Sequence, residues 1–183
     1  MTRILLISGS TRSRSTNSAL VRTAARCAPD GVEAVVYDGL AGLPHFNPDD
    51  DHEPLPAPVA ELRAAIAAAG AVLFCTPEYG GTLPGSVKNL LDWTVGDTVM
   101  TDKPVAWINA AADPHRGGGA HATLATVLGY VQARIVADAS WHIPVPREAV
   151  GDDGLIADPA TRTSIAGAFA VLAQQDPLPP EPA

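Results

Sequence analysis

Apolar and polar positions follow one another along this chain in blocks of two kinds. Ile4-Leu5-Leu6-Ile7 is a short unbroken apolar run, the pattern of a strand buried on both faces of a parallel sheet. It ends at Ser8-Gly9-Ser10. Beyond a polar loop, Ala19-Leu20-Val21 and Ala24-Ala25 fall on one face of a helix, which Pro29-Asp30-Gly31 terminates. The unit then recurs. Val32 to Tyr37 predicts a second strand, Val59 to Ala69 an alanine-rich helix, and Ala71 to Thr76 a third strand. A helix over about Pro84 to Thr94 begins with a proline, whose missing N–H costs nothing in a first turn. A fourth strand covers about Pro104 to Ala110, a helix Gly118 to Tyr130, a fifth strand Arg134 to Ala139, and a last helix Pro159 to Gln174. Alternating β and α units imply a five-stranded parallel sheet with helices on both faces, and the strand order 2-1-3-4-5 fits.

Two stretches interrupt the rhythm. Asp38 to Pro58 is rich in Pro and Asp, and Trp141 to Asp158 has no period, so both are expected to be surface connections. The tail from Asp176 to Ala183 holds four prolines in eight residues and is expected to be extended and flexible. With 183 residues in all, the pattern predicts one domain over residues 1–175.

Composition narrows the function classes. A net charge of −8 repels nucleic-acid backbones, and the Lys and Arg residues form no stripe, so no nucleic-acid partner is expected. Any anion must therefore be captured by a local site. Pro, Gly, Asp or Arg interrupts every apolar run well short of the ~20 residues a bilayer demands, which argues against a membrane role. The cysteines, Cys27 and Cys75, lack metal or redox spacing, and no signal-peptide layout precedes Arg3, so a cytoplasmic location is expected. The five histidines form no His-x-His or Glu-x-x-His pair, and no metal site is assigned.

Ligands of open α/β sheets sit beyond the carboxyl ends of the strands where the strand order reverses, here between the first and third strands. Two motifs fall there. Ser8 to Ser18 contains five serines, two threonines, an asparagine and two arginines, a donor density suited to a phosphate at the N-terminus of the following helix. The loop lacks both Gly-x-x-x-x-Gly-Lys and Gly-x-Gly-x-x-Gly, so a terminal monophosphate held by hydroxyls, amides and guanidinium groups remains. Capping of the helix by Ser15 or Asn17 is the plainer role for part of the same loop. The second motif, Thr76-Pro77-Glu78-Tyr79-Gly80-Gly81, ends the third strand in a turn whose two glycines allow positive φ or close backbone approach to a flat ligand.

Ser8-Gly9-Ser10-x-Arg12-x-x-Ser15-x-Asn17 resembles the phosphate loop of the NAD(P)H-dependent FMN reductase family, which includes azo-dye, quinone and chromate reductases. Pro77-Glu78-Tyr79-x-Gly81, followed by Pro84-Gly85-x-x-Lys88-Asn89 and Asp92-Trp93, resembles that family's second signature. Gly80 stands where many members carry Asn, and Ala110 to Ala112 lacks the family's hydroxyl before the glycines. The resemblance implies a flavodoxin-like three-layer sandwich. It implies that Ser10, Arg12, Ser15, Thr16 and Asn17 grip the FMN phosphate and that Pro77, Glu78, Tyr79, Gly80 and Gly81 face the flavin ring. It also implies hydride transfer from NADPH or NADH to flavin N5 and onward to a quinone, azo compound, flavin or similar small acceptor, with no catalytic side chain. A homodimer or homotetramer is expected on the same ground. A flavodoxin-type electron carrier and a redox-inactive phosphate-ligand binding protein stand as alternatives.

Overall fold

In the computed structural model of the chain, which describes residues 1–175, strands β1 (Thr2–Ser8), β2 (Val32–Tyr37), β3 (Ala71–Cys75) and β4 (Pro104–Asn109) pair in parallel around β1 and β3. The tail expected to be flexible, residues 176–183, lies outside the described residues. Adding β5 (Arg134–Ile135) completes the order β2-β1-β3-β4-β5, the flavodoxin-like arrangement. Helices α1 (Thr16–Arg26), α2 (Ala57–Ala67), α3 (Gly85–Asp92), α4 (Gly118–Tyr130) and α5 (Pro159–Ala173) cover both faces.

The unbroken apolar strands are explained by two cores. Successive side chains of a strand point to opposite faces. Ile4 and Leu6 accordingly join Leu20 of α1 and Phe169 of α5 on one side of the sheet. Leu5 and Ile7 join Leu62 of α2, Leu90 of α3 and Leu124 of α4 on the other.

The fifth strand departs from the expected Arg134 to Ala139. It ends at Ile135, a 3₁₀ turn occupies Ala137–Ala139, and a sixth short strand, β6 (Trp141–His142), resumes pairing with β4. Val105 and Asn109 of β4 accept from Val136 and Ile143 respectively, so β5 and β6 lie along the same edge of β4. Between them Ser140 Oγ accepts from the Trp107 N–H at 3.4 Å, a hydroxyl standing in for a strand carbonyl. This break sends the chain from 143 onward over the carboxyl end of the sheet.

The connection expected over residues 38–58 contains two 3₁₀ turns, Leu40–Gly42 and Pro48–Asp50, before α2 begins at Ala57. It is tied down at α3. Asn89 Oδ1 accepts from Phe46 N at 2.8 Å, while Asn89 Nδ2 and Trp93 Nε1 both donate to Pro44 O. Asn89 and Trp93 of the second signature thus anchor this connection to α3.

Candidate functional site

The loop after β1 is shaped by its own hydroxyls. Ser15, buried and in extended conformation, is the N-cap of α1 and accepts from Ser18 N at 3.5 Å. Ser8 and Ser18 share a hydroxyl hydrogen bond of 2.8 Å, and Ser10 Oγ accepts from Arg12 N at 3.3 Å. The amides of Thr16 and Asn17 have no intrahelical acceptor, as the first N–H groups of any helix do not, and the helix dipole adds partial positive charge there. Ser15 thus carries the capping role, while the Arg12 side chain and the amides of Thr16 and Asn17 make no hydrogen bond among the described residues.

Asn17 reaches back to the sheet. Its Oδ1 accepts from the Cys75 thiol at 3.3 Å, which leaves Nδ2 as a donor without a partner among the described residues. Burial pushes the Cys75 pKa upward, so the thiol keeps its proton and stays a donor.

The turn after β3 is held from two sides. Tyr79 and Thr82 form an antiparallel bridge, and Thr82 Oγ1 lies 2.8 Å from Thr123 Oγ1 of α4. Gly80 and Gly81 have φ of 58° and 79°, in the left-handed region, and a side chain at either would meet open space. Asn tolerates that region better than most residues, which accounts physically for Gly and Asn both suiting position 80. Glu78 lines the cavity at the carboxyl end of the sheet, and its carboxylate reaches α4. Its Oε2 accepts from Gly119 N at 2.7 Å and Ala120 N at 3.2 Å, capping a helix whose own N-cap, Gly117, has no side chain.

After β4, Asn109 splints the next loop: its Nδ2 donates to Arg116 O at 2.8 Å and its Oδ1 accepts from Ala111 N at 3.0 Å.

These loops enclose a cavity of about 380 Å³ at the carboxyl end of the sheet, lined by Asn17, Thr76, Pro77, Glu78, residues 109–113 and Arg147, among others. Beside it a cavity of about 240 Å³ is lined by Arg12, Arg14, Thr16, Arg147 and Val150. The structure therefore brings Asn17, Pro77 and Glu78 to one space and Arg12 and Thr16 to its neighbour. Ser10 lines a third cavity, between the ends of β1 and β2, with Tyr37 and Arg22. Tyr79, Gly80 and Gly81 are exposed at the surface of the turn. Asn109 and Arg147 are not among the residues singled out from sequence. A polar residue closing an apolar strand could have pointed to Asn109; nothing local marks Arg147.

The donor set fits a flavin mononucleotide. Three guanidinium groups, a hydroxyl and free helix amides lie beside the larger cavity, whose walls mix backbone polar groups with proline and alanine, and the volume suits a small-molecule site. Among the described residues no group of three or more His, Cys, Asp or Glu is placed to hold a metal ion, and no helix is long and apolar enough to cross a membrane.

A flavodoxin-like sheet whose loops after β1, β3 and β4 meet at one cavity at its carboxyl end is the arrangement of mononucleotide-binding α/β proteins. Residues 2–146 match the NADPH-dependent FMN reductase family, and the chain belongs to it. It is 38% identical over 112 residues to an NAD(P)H-dependent FMN reductase of Pseudomonas aeruginosa, a match covering 60% of each chain. It is 29% identical over 163 residues to a 2-hydroxy-1,4-benzoquinone reductase of Burkholderia sp., covering 87% of this chain and 88% of that one. The chain spans about 60% of the length of the Pseudomonas relative. Among solved structures, FerB, a flavoenzyme NAD(P)H:(acceptor) oxidoreductase from Paracoccus denitrificans, superposes with a TM-score of 0.81 at 27% identity, covering 94% of this chain and 96% of that one.

Proposed function

We propose that residues 1–175 form a single FMN-binding domain that oxidises NADPH or NADH and passes the electrons to a quinone, azo compound or similar small acceptor. The observation that carries this reading is the convergence of Asn17, the Pro77–Glu78 backbone and residues 109–113 on one cavity, with Arg12 and Thr16 lining the next. FMN, when bound, supplies the hydride and electron transfer.

The chain's own residues bind, orient and expose. Arg12, Thr16 and the first amides of α1 hold the phosphate, with Ser10 and Ser15 shaping the loop around it. Asn17 Nδ2 donates within the larger cavity, and the 77–81 turn offers backbone groups to the ring. The open space over Gly80 and Gly81 leaves room for nicotinamide and acceptor to visit in turn. Glu78 contributes by fixing the turn to α4 rather than by touching substrate. Quinone acceptors are supported by the Burkholderia relative. A cytoplasmic location and a homodimer or homotetramer belong to the same proposal, the latter open to sedimentation analysis.

The test is an absorbance spectrum of the purified protein with FMN, followed by NADPH or NADH without oxygen. Bleaching of the flavin bands by either is expected. Bound flavin that resists both would indicate an electron carrier, and no binding of FMN would remove the reading.

A further inference from the structure

Arg147 lines both the 380 Å³ cavity and the 240 Å³ cavity, and it lies just beyond the stretch that matches the family. Its backbone is placed by the sheet edge. Ile143 N donates to Asn109 O at 2.9 Å and Val145 N to Ala110 O at 3.2 Å, both side chains are buried, and Pro146 holds an extended conformation before the short turn Arg147–Ala149. Arg147 is therefore carried to the site by β6 and the strand-like segment after it.

The smaller cavity is lined by three arginines, Thr16 and Val150, with no carboxylate, in a chain whose net charge is −8. Arg14 has only an exposed contact of 3.7 Å with Asp152. The guanidinium groups of Arg12 and Arg147 make no hydrogen bond or ion pair among the described residues. Arg12 and Arg147 are like charges, neither paired with a carboxylate among the described residues, and a planar guanidinium is built to grip phosphate oxygens in pairs. The group that satisfies Arg12 and Arg147 together, beside the N-terminus of α1, is a phosphate monoester.

We propose that Arg147 is a ligand of the FMN phosphate, supplied from outside the phosphate loop and closing the cradle formed by Arg12 and Thr16. This rests on the FMN reading above. Because Arg147 borders both cavities, it suits a ligand whose ring occupies the larger and whose phosphate occupies the smaller, which favours the FMN 5′-phosphate over the 2′-phosphate of NADPH.

The experiment is fluorescence titration of the flavin-free full chain with FMN and with riboflavin, which lacks the phosphate, in the wild type and the Arg12→Ala, Arg147→Ala and Arg147→Lys variants. Arg147→Ala is expected to weaken FMN binding by about tenfold, the loss of one charge-assisted contact, and to leave riboflavin binding and the urea midpoint unchanged. Arg147→Lys should fall between. Unchanged FMN affinity, or equal weakening of FMN and riboflavin, would overturn the assignment even if Arg12→Ala behaves as a phosphate ligand should. A loss confined to discrimination between NADPH and NADH, read by the rate at which each bleaches the FMN-loaded variants, would also overturn it, moving Arg147 to the 2′-phosphate. A wild type that does not prefer FMN to riboflavin would instead remove the reading on which the proposal rests.

Discussion

The Glu78 carboxylate caps α4, the helix that begins at Gly118: one oxygen, Oε2, accepts from both Gly119 N at 2.7 Å and Ala120 N at 3.2 Å. The residue that precedes the helix, Gly117, has φ of 90° and no side chain, so the acceptor comes from the turn after β3. A carboxylate at a helix N-terminus satisfies orphan amides and interacts favourably with the dipole. It also joins two of the loops that bound the 380 Å³ cavity.

Replacing Glu78 should therefore cost stability. Glu78→Ala removes the cap, and a loss of about 1 kcal/mol is expected in urea unfolding, with Glu78→Gln losing less because the amide oxygen still accepts. Flavin affinity should follow the loosened turn in the Ala variant. An Ala variant as stable as the wild type would show that the cap contributes nothing.

Gly119 meets the same turn from the other side. A Cβ there would lie 2.1 Å from the carbonyl oxygen of Gly81 and 3.0 Å from Glu78 Oε2, and the first of these is backbone that cannot swing aside. Gly119→Ala is expected to push the turn off α4 and destabilise the protein by about 1–3 kcal/mol, the range for overpacking. Gly118→Ala, where a Cβ meets open space, serves as the control and should unfold near the wild-type midpoint.

Most of this architecture was legible from residue patterns because the physics is local. Ile4 to Ile7 reads as a strand buried on both sides since its side chains alternate between the two cores. Gly80-Gly81 reads as a positive-φ turn since few residues tolerate that conformation. The broken edge strand was not legible. Ser140 replaces a backbone acceptor with its hydroxyl, and no hydrophobic period records such a substitution. Arg147 was hidden for the same reason, an isolated cation in a proline-rich stretch whose place at the cavities follows from the pairing of β6 with β4. Glu78 was singled out from its motif, but its partner on α4 is 41 positions away, and only tertiary structure shows that its carboxylate serves a helix.

His121 predicts a pH dependence. Its ring stacks on Trp107, centroids 5.9 Å apart and planes within 10°, and its buried Nε2 has no hydrogen-bond partner among the described residues. Burial lowers its pKa from the usual 6.5; the Gly117 backbone and the Glu78 carboxylate oppose this, and His142 adds to it. Below that ordinary value the unfolded chain takes up a proton that the native imidazole refuses, so stability is lost as the pH falls. Urea midpoints measured from about pH 7 to about pH 5 should fall more steeply for the wild type than for His121→Phe, which keeps a ring on Trp107 and cannot titrate. Parallel curves would show that His121 does not contribute to the acid sensitivity.

Arg63 of α2 makes the most enclosed ion pair among the described residues, and its loss should separate stability from ligand binding. Its Nη2 donates to Asp51 Oδ1 at 2.6 Å and its Nε to Trp93 O at 2.9 Å, and the two charged side chains are 11% and 12% exposed. Arg63 thus ties the connection over residues 38–58 to α2 and to the end of α3. Arg63→Ala strands the Asp51 carboxylate, and about 3 kcal/mol of destabilisation is expected, since an unpaired buried charge costs more than the pair contributes. Removing both charges, Arg63→Ala with Asp51→Asn, should restore at least about 1 kcal/mol of that loss in a double-mutant cycle. None of these residues lines the 380 Å³ or 240 Å³ cavity, so the FMN dissociation constant of folded Arg63→Ala protein should match the wild type. Additive effects in the cycle would mean that the pair is not coupled, and weakened FMN binding would mean that the connection over residues 38–58 reaches the site.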